Sequence, residues 1–92
     1  MKHHTTPDVA HVVVTDSRNR DGEILFLADR RLHSESYWTN EVKHALVFTN
    51  KERADRRVAI LHHNNPRAMT LAGAIVVDEQ QRAARNETAS TN

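Results

Sequence analysis

Between Thr49 and Pro66 the chain carries a full set of helix instructions, and no other stretch constrains the fold as much. Thr49 or Asn50 stands where a cap belongs, and Thr49 with Glu52 three residues on has the capping-box spacing. At about 100° per residue, Ala54, Val58 and Leu61 fall on one stripe with Ile60 at its edge, while Glu52, Arg56 and His63 face the other way. Glu52 and Arg56 form an i, i+4 pair in the favourable order. Asn64-Asn65-Pro66 then stops the helix, because Asn tolerates the left-handed conformation and Pro cannot continue. A helix with one apolar stripe must lay it on another layer.

The flanking sequence supplies that layer as strands. His11–Asp16, HVVVTD, is β-branched, and Asp16–Gly22 is a polar turn closing on Asp-Gly, a hairpin signal. Glu23–Asp29, EILFLAD, returns as a strand whose continuous apolar run predicts cover on both faces. Tyr37–Thr39 is a short third strand, Asn40–His44 a single helical turn, and Ala45–Phe48 a strand or a buried turn. The last strand is expected within Arg67–Asp78, centred on Ala74–Val77 and extended by Met69 and Leu71. The expected class is α+β: a small antiparallel sheet of three or four strands, one main helix on a face, and a frayed or disordered C-terminal tail. The domain spans 1–78, with 1–9 as an N-terminal arm and 79–92 as a polar tail, read as a short frayed helix followed by a disordered end. Expected core residues are Val12, Val14, Ile24, Phe26, Trp38, Leu46, Phe48, Ala54, Val58, Leu61, Ile75 and Val77, and the Tyr37 ring is expected to be buried beside them.

Ninety-two residues allow one domain with a thin core. The absence of cysteine excludes a disulfide scaffold or a Cys-based zinc site and fits a reducing compartment. MKHHTTPDVA has no apolar signal region, and the apolar runs are too short to span a bilayer. An intracellular soluble protein is the expectation. Seven histidines raise the question of a metal. His62 and His63 are neighbours on a helix and point about 100° apart, and His3 and His4 lie on the arm, so convergence on one ion is not expected. Nothing matches a nucleophile elbow or a phosphate-binding loop, and the small core leaves little room for a pocket. No enzyme activity, metal, cofactor or small-molecule substrate is expected.

Thirteen Lys and Arg against twelve Asp and Glu leave a net charge of +1, so placement matters more than the sum. Only Lys2, Lys43 and Lys51 are lysines, and arginine suits bidentate contacts to phosphate or carboxylate. Arg18 and Arg20 fall in the hairpin turn, and Arg30 and Arg31 follow the second strand at its opposite end. Lys51, Arg53, Arg56 and Arg57 lie on the helix, and Arg67 follows its end. These nine are the candidate partner-binding or nucleic-acid-binding residues. The bland alternative is a solvated face neutralised by Asp16, Glu52 and Asp55, with the Arg57 stem covering core. Few aromatics argue against a base-stacking platform.

The run from "SYWT" through a polar turn to "HALVFTNKERADR" and "HNNP" resembles small proteins of tailed phages and prophages. In size and character the chain resembles the anti-CRISPR proteins that act on type I-F surveillance complexes. The likeness covers Tyr37–Pro66 and is one of layout and composition. It implies a non-enzymatic inhibitor in the host bacterial cytoplasm, bound to Cas protein subunits and the crRNA, that blocks hybridisation of target DNA to the guide. Asp16, Asp21, Glu35 and Glu41 would then meet basic subunits and the arginines the guide backbone. The alternative is a small nucleic-acid-binding accessory or regulatory protein.

Overall fold

The computed structural model describes residues 9–62 and 64–90. Strands β1 (His11–Asp16), β2 (Ile24–Leu27), β3 (Trp38–Thr39) and β4 (Arg67–Thr70) form one antiparallel sheet in the order β3-β2-β1-β4. Two helices, α1 (Lys51–Ala59) and α2 (Leu71–Ser90), complete the fold. The α+β class and the four-stranded antiparallel sheet match the expectation, and a second helix is added to it.

The helices cover opposite faces of the sheet. Val12, Val14, Ile24 and Phe26 point to the side where Ala74, Leu71 and Val77 of α2 pack. Val13 and Leu27 point to the other side, against Ala54 and Val58 of α1 and Leu61 just beyond it, together with Trp38, Leu46 and Phe48. Alternation along a strand sends neighbours to opposite faces, so three consecutive valines in β1 are all fully buried. A central strand covered on both sides has no polar face, which is why HVVVTD needs none.

The hairpin between β1 and β2 is built as its sequence predicts. Ser17 Oγ accepts the N–H groups of Asn19 and Arg20, and Gly22 takes a φ of 81° that side chains disfavour. After β3, a 3-10 turn at Val42–His44 leads into Ala45–Phe48. That segment is a crossing rail. Ala45 bridges Ala28, the Leu46 N–H donates to the Leu27 carbonyl, and Phe48 exchanges two hydrogen bonds with His11. It closes the end of the sheet where β2 falls short of β1.

α1 is capped by Asn50, whose side chain accepts the Arg53 N–H at 3.0 Å. Thr49 lies outside the helix, so the Thr49–Glu52 box does not form. α1 ends earlier than the sequence predicts, at Ala59, where the Ile60 N–H closes the last turn on the Arg57 and Val58 carbonyls. Asn65, at φ 56°, therefore shapes the loop beyond the helix and does not stop it. The Asn64 carbonyl accepts the Asp16 N–H and the Thr15 hydroxyl, which ties the loop to the end of β1.

The last third of the chain corrects the sequence reading. The strand is Arg67–Thr70 alone, and Ala74–Val77 belongs to α2. β4 stops because its partner stops: Thr70 pairs with His11, the first residue of β1. Thr70 then caps the next element, its hydroxyl accepting the Gly73 N–H at 3.1 Å. Ala74 is buried, but Ile75 is 41% exposed and leaves the expected core. α2 continues through the stretch read as a tail, as far as Ser90. Its turns are pinned by Gln81, whose amide accepts the Ile24 N–H at 2.7 Å and donates to the Ile24 carbonyl at 3.2 Å. Tyr37 is a second correction: it is 59% exposed, with the Arg30 guanidinium 5.4 Å above its ring. The two-residue strand β3 puts Trp38 against the α1 side and leaves its neighbour outside.

Candidate functional site

The nine basic candidates fall into three groups. At the hairpin end are Arg18, Arg20 and Arg67. Arg67 donates to Asp16 at 3.0 Å and to the Asn65 carbonyl at 2.8 Å. Arg20 lies 4.0 Å from Glu23, which Arg85 of α2 also approaches at 3.5 Å. A cleft of about 430 Å³ opens between Arg20, Gly22, Gln81 and Arg85, but it holds as many carboxylates (Asp21, Glu23) as arginines.

At the opposite end are Arg30 and Arg31. Arg31 grips Asp29 with two parallel bonds, Nε to Oδ1 at 3.0 Å and an Nη to Oδ2 at 2.9 Å. The Arg31 backbone N–H reaches the same carboxylate. These bonds hold the Asp29 carboxyl below its ordinary range, with the Arg31 side chain as the largest cause. Glu41 is held down in the same direction, chiefly by Lys43 at 3.3 Å. Arg30 donates to the Ser34 carbonyl and covers Tyr37.

The third group is α1. Lys51 pairs with Asp55 at 2.7 Å, and Arg56 with Glu52 at 3.2 Å. Arg57 lies over the Phe48 ring at 5.7 Å. Helical geometry divides these cations. With Ala54 facing the sheet, Arg53, Arg56 and Arg57 share an arc of about 100° on one flank, whereas Lys51 lies on the other flank with Asp55 and Glu52. Of the four helix cations, three therefore form a row and Lys51 stands apart from it.

Five of the nine candidates (Arg20, Arg31, Lys51, Arg56 and Arg67) face a carboxylate of their own chain. Two, Arg30 and Arg57, lie on aromatic rings. Among the described residues, neither Arg18 nor Arg53 pairs with a carboxylate. Exposed pairs contribute about 0–1 kcal/mol each, so they leave the cations available at small cost, but they remove the strong positive field that a polyanion would seek.

Two features had no clear sequence signal. Asp78, 1% exposed, sits in α2 under the sheet and takes an ion pair from Arg82 one turn on. Reading Ala74–Val77 as a strand hid that i, i+4 spacing. The other is a groove of about 460 Å³ between α2 and the segment after β2, walled by Leu32, Val47 and Ile75 over Val42, Ala45 and Leu71. Among the described residues no three His, Asp or Glu side chains gather as a metal site. His33 and His44 do stack, with ring centres 5.6 Å apart, while His3, His4 and His63 lie outside the described residues. No described helix is long and apolar enough to cross a membrane. Compared with protein-family models, curated proteins and solved structures, the chain gives no match.

Proposed function

We propose that this chain is a non-enzymatic phage protein that inhibits bacterial CRISPR immunity. It binds a type I-F crRNA-guided surveillance complex and blocks hybridisation of target DNA. The observation that carries this reading is the α1 flank of Arg53, Arg56 and Arg57, presented on a helix fixed to the sheet by Ala54 and Val58. A rigid row meets a partner without the entropy cost of ordering a loop. The mixed charges beside it, Glu52 and Asp55, suit a protein surface better than a bare phosphate chain, since like-charged carboxylates repel phosphate. The resemblance over Tyr37–Pro66 supplies the identity of the partner: Cas subunits with exposed guide RNA.

The test is co-elution with a purified type I-F complex, followed by target-DNA binding. Wild type should co-elute and suppress DNA binding. A variant with R53E, R56E and R57E together, folded by circular dichroism, should lose both effects. Failure of wild type to co-elute, or to reduce DNA binding, refutes the proposal. Titration against free RNA and DNA separates the alternative of a direct nucleic-acid binder. The inhibitor should bind naked strands weakly, whereas a direct binder would hold them tightly and lose affinity steeply with salt.

A further inference from the structure

Seven large apolar side chains stand exposed among the described residues. Three of them, Leu32 (59%), Val47 (48%) and Ile75 (41%), wall the groove beside the start of α2. These side chains come from three separate segments: the loop after β2, the rail Ala45–Phe48, and the second turn of α2. Single exposed apolar residues are ordinary, but a convergent set over an apolar floor marks an interaction surface.

The rim identifies the occupant. The charged residues that line it are Asp29, Arg31 and Lys43. Arg31 holds Asp29 by two bonds and Lys43 holds Glu41 at 3.3 Å just outside the lining, so each cation already has a carboxylate and the two pairs sum to zero. A nucleic acid or an acidic peptide would have to displace Asp29 and Glu41 and leave them facing its own negative charge. A second copy of this chain brings the same apolar walls and equal numbers of both signs. Two such neutral, paired rims can face each other across a two-fold axis without net repulsion. Residues 1–8, MKHHTTPD, have only Met1 as a large apolar side chain, so that stretch has little with which to fill the groove.

We infer that the chain forms a two-fold symmetric homodimer through this groove, with Leu32, Val47 and Ile75 of one copy seated on the same side chains of its partner. The surface is distinct from the α1 flank, and the inference stands independently of the proposed inhibitor activity.

Sedimentation velocity on the purified chain, from micromolar to millimolar concentration, tests it. Wild type should move with concentration from 10.5 kDa towards twice that mass. Ile75→Asp and Leu32→Ser, each checked for wild-type circular dichroism, should raise the dimer dissociation constant by roughly tenfold or more. Ile60→Asp, at a position 68% exposed beyond α1, should leave it unchanged. Leu32 lies in a loop, so its variant keeps the test open if Ile75→Asp does not fold. A wild type that stays at 10.5 kDa at the highest concentration overturns the proposal and leaves the groove to a different protein. A dimer that survives a folded Leu32→Ser or Ile75→Asp, or that Ile60→Asp dissolves, overturns it as well.

Discussion

On the α1 side of the sheet, Ala54, Val58 and Leu61 cover Val13 and Leu27, and the helix's outer face is laced by Lys51–Asp55 and Arg56–Glu52 pairs. On the α2 side, Ala74 and Val77 cover Val12 and Phe26, but Leu32, Val47 and Ile75 remain in water around a groove. The first helix completes its own surface; the second covers the sheet and leaves an apolar seam beside it. Both helices contribute to the core, and they differ in what they leave outside. A polar, rigid flank suits a partner that is met and released, whereas an apolar seam with a neutral rim suits lasting burial.

The largest test of this contrast uses neighbouring residues that face opposite ways. Phe26→Ala should cost about 3–5 kcal/mol and Leu27→Ala about 2–5 kcal/mol in denaturant unfolding, since both are essentially fully buried. If either costs under about 1 kcal/mol, that face does not form a packed core. The anchors of the two helices come next. Asp78→Ala removes the buried acceptor of Arg82 and should cost about 1–3 kcal/mol. A neutral result would mean that α2 is held by its apolar contacts alone, because burying the charge costs as much as the pair returns. Asn50→Ala removes the α1 cap, for about 1 kcal/mol; Asn50→Ser should restore most of it, because a hydroxyl can accept the same N–H.

The smallest effect is at the groove rim and depends on pH. The Asp29 carboxyl is lowered from its ordinary 3.8 in the folded chain. Its contribution is therefore complete above that value and lost as the pH falls through the lowered folded one. The stability gap between wild type and Arg31→Ala should be constant near neutrality and close as the solution is acidified below 3.8. A gap that persists in acid would assign the role of Arg31 to packing of its stem.

The first two-thirds of the chain was legible because each element carries its own local signal. HVVVTD, Asp21-Gly22 and the stripe Ala54-Val58 each name one conformation, and the sheet follows from them, although the helix stops at Ala59 and not at the expected Asn64-Asn65-Pro66. The last third was not, because AGAIVV satisfies strand and helix alike. What decides it is non-local: β1 begins at His11, so antiparallel β4 has no partner beyond Thr70, and the Thr70 hydroxyl is then free to cap a helix. EQQRAAR, read as a short frayed helix before a disordered tail for want of apolar residues, is a strong helix former and is held by Gln81 and Asp78 as part of the longer α2. The hairpin, post-β2 and α1 arginines were placed correctly by element, whereas Arg67 opens β4 and Arg82 and Arg85 lie on α2; their carboxylate partners were only partly visible. Glu52–Arg56 follows from spacing, whereas Asp16–Arg67 spans the fold. The groove had no sequence signature, because its walls come from three separate segments.

The contrast between the two helices is tested most directly by amide chemical shifts followed on dilution of the free protein. The account predicts concentration-dependent shifts centred on Leu32, Val47, Leu71 and Ile75, with the Lys51–Ala59 amides unchanged. Shifts centred on α1, or none from millimolar to micromolar concentration, would contradict it.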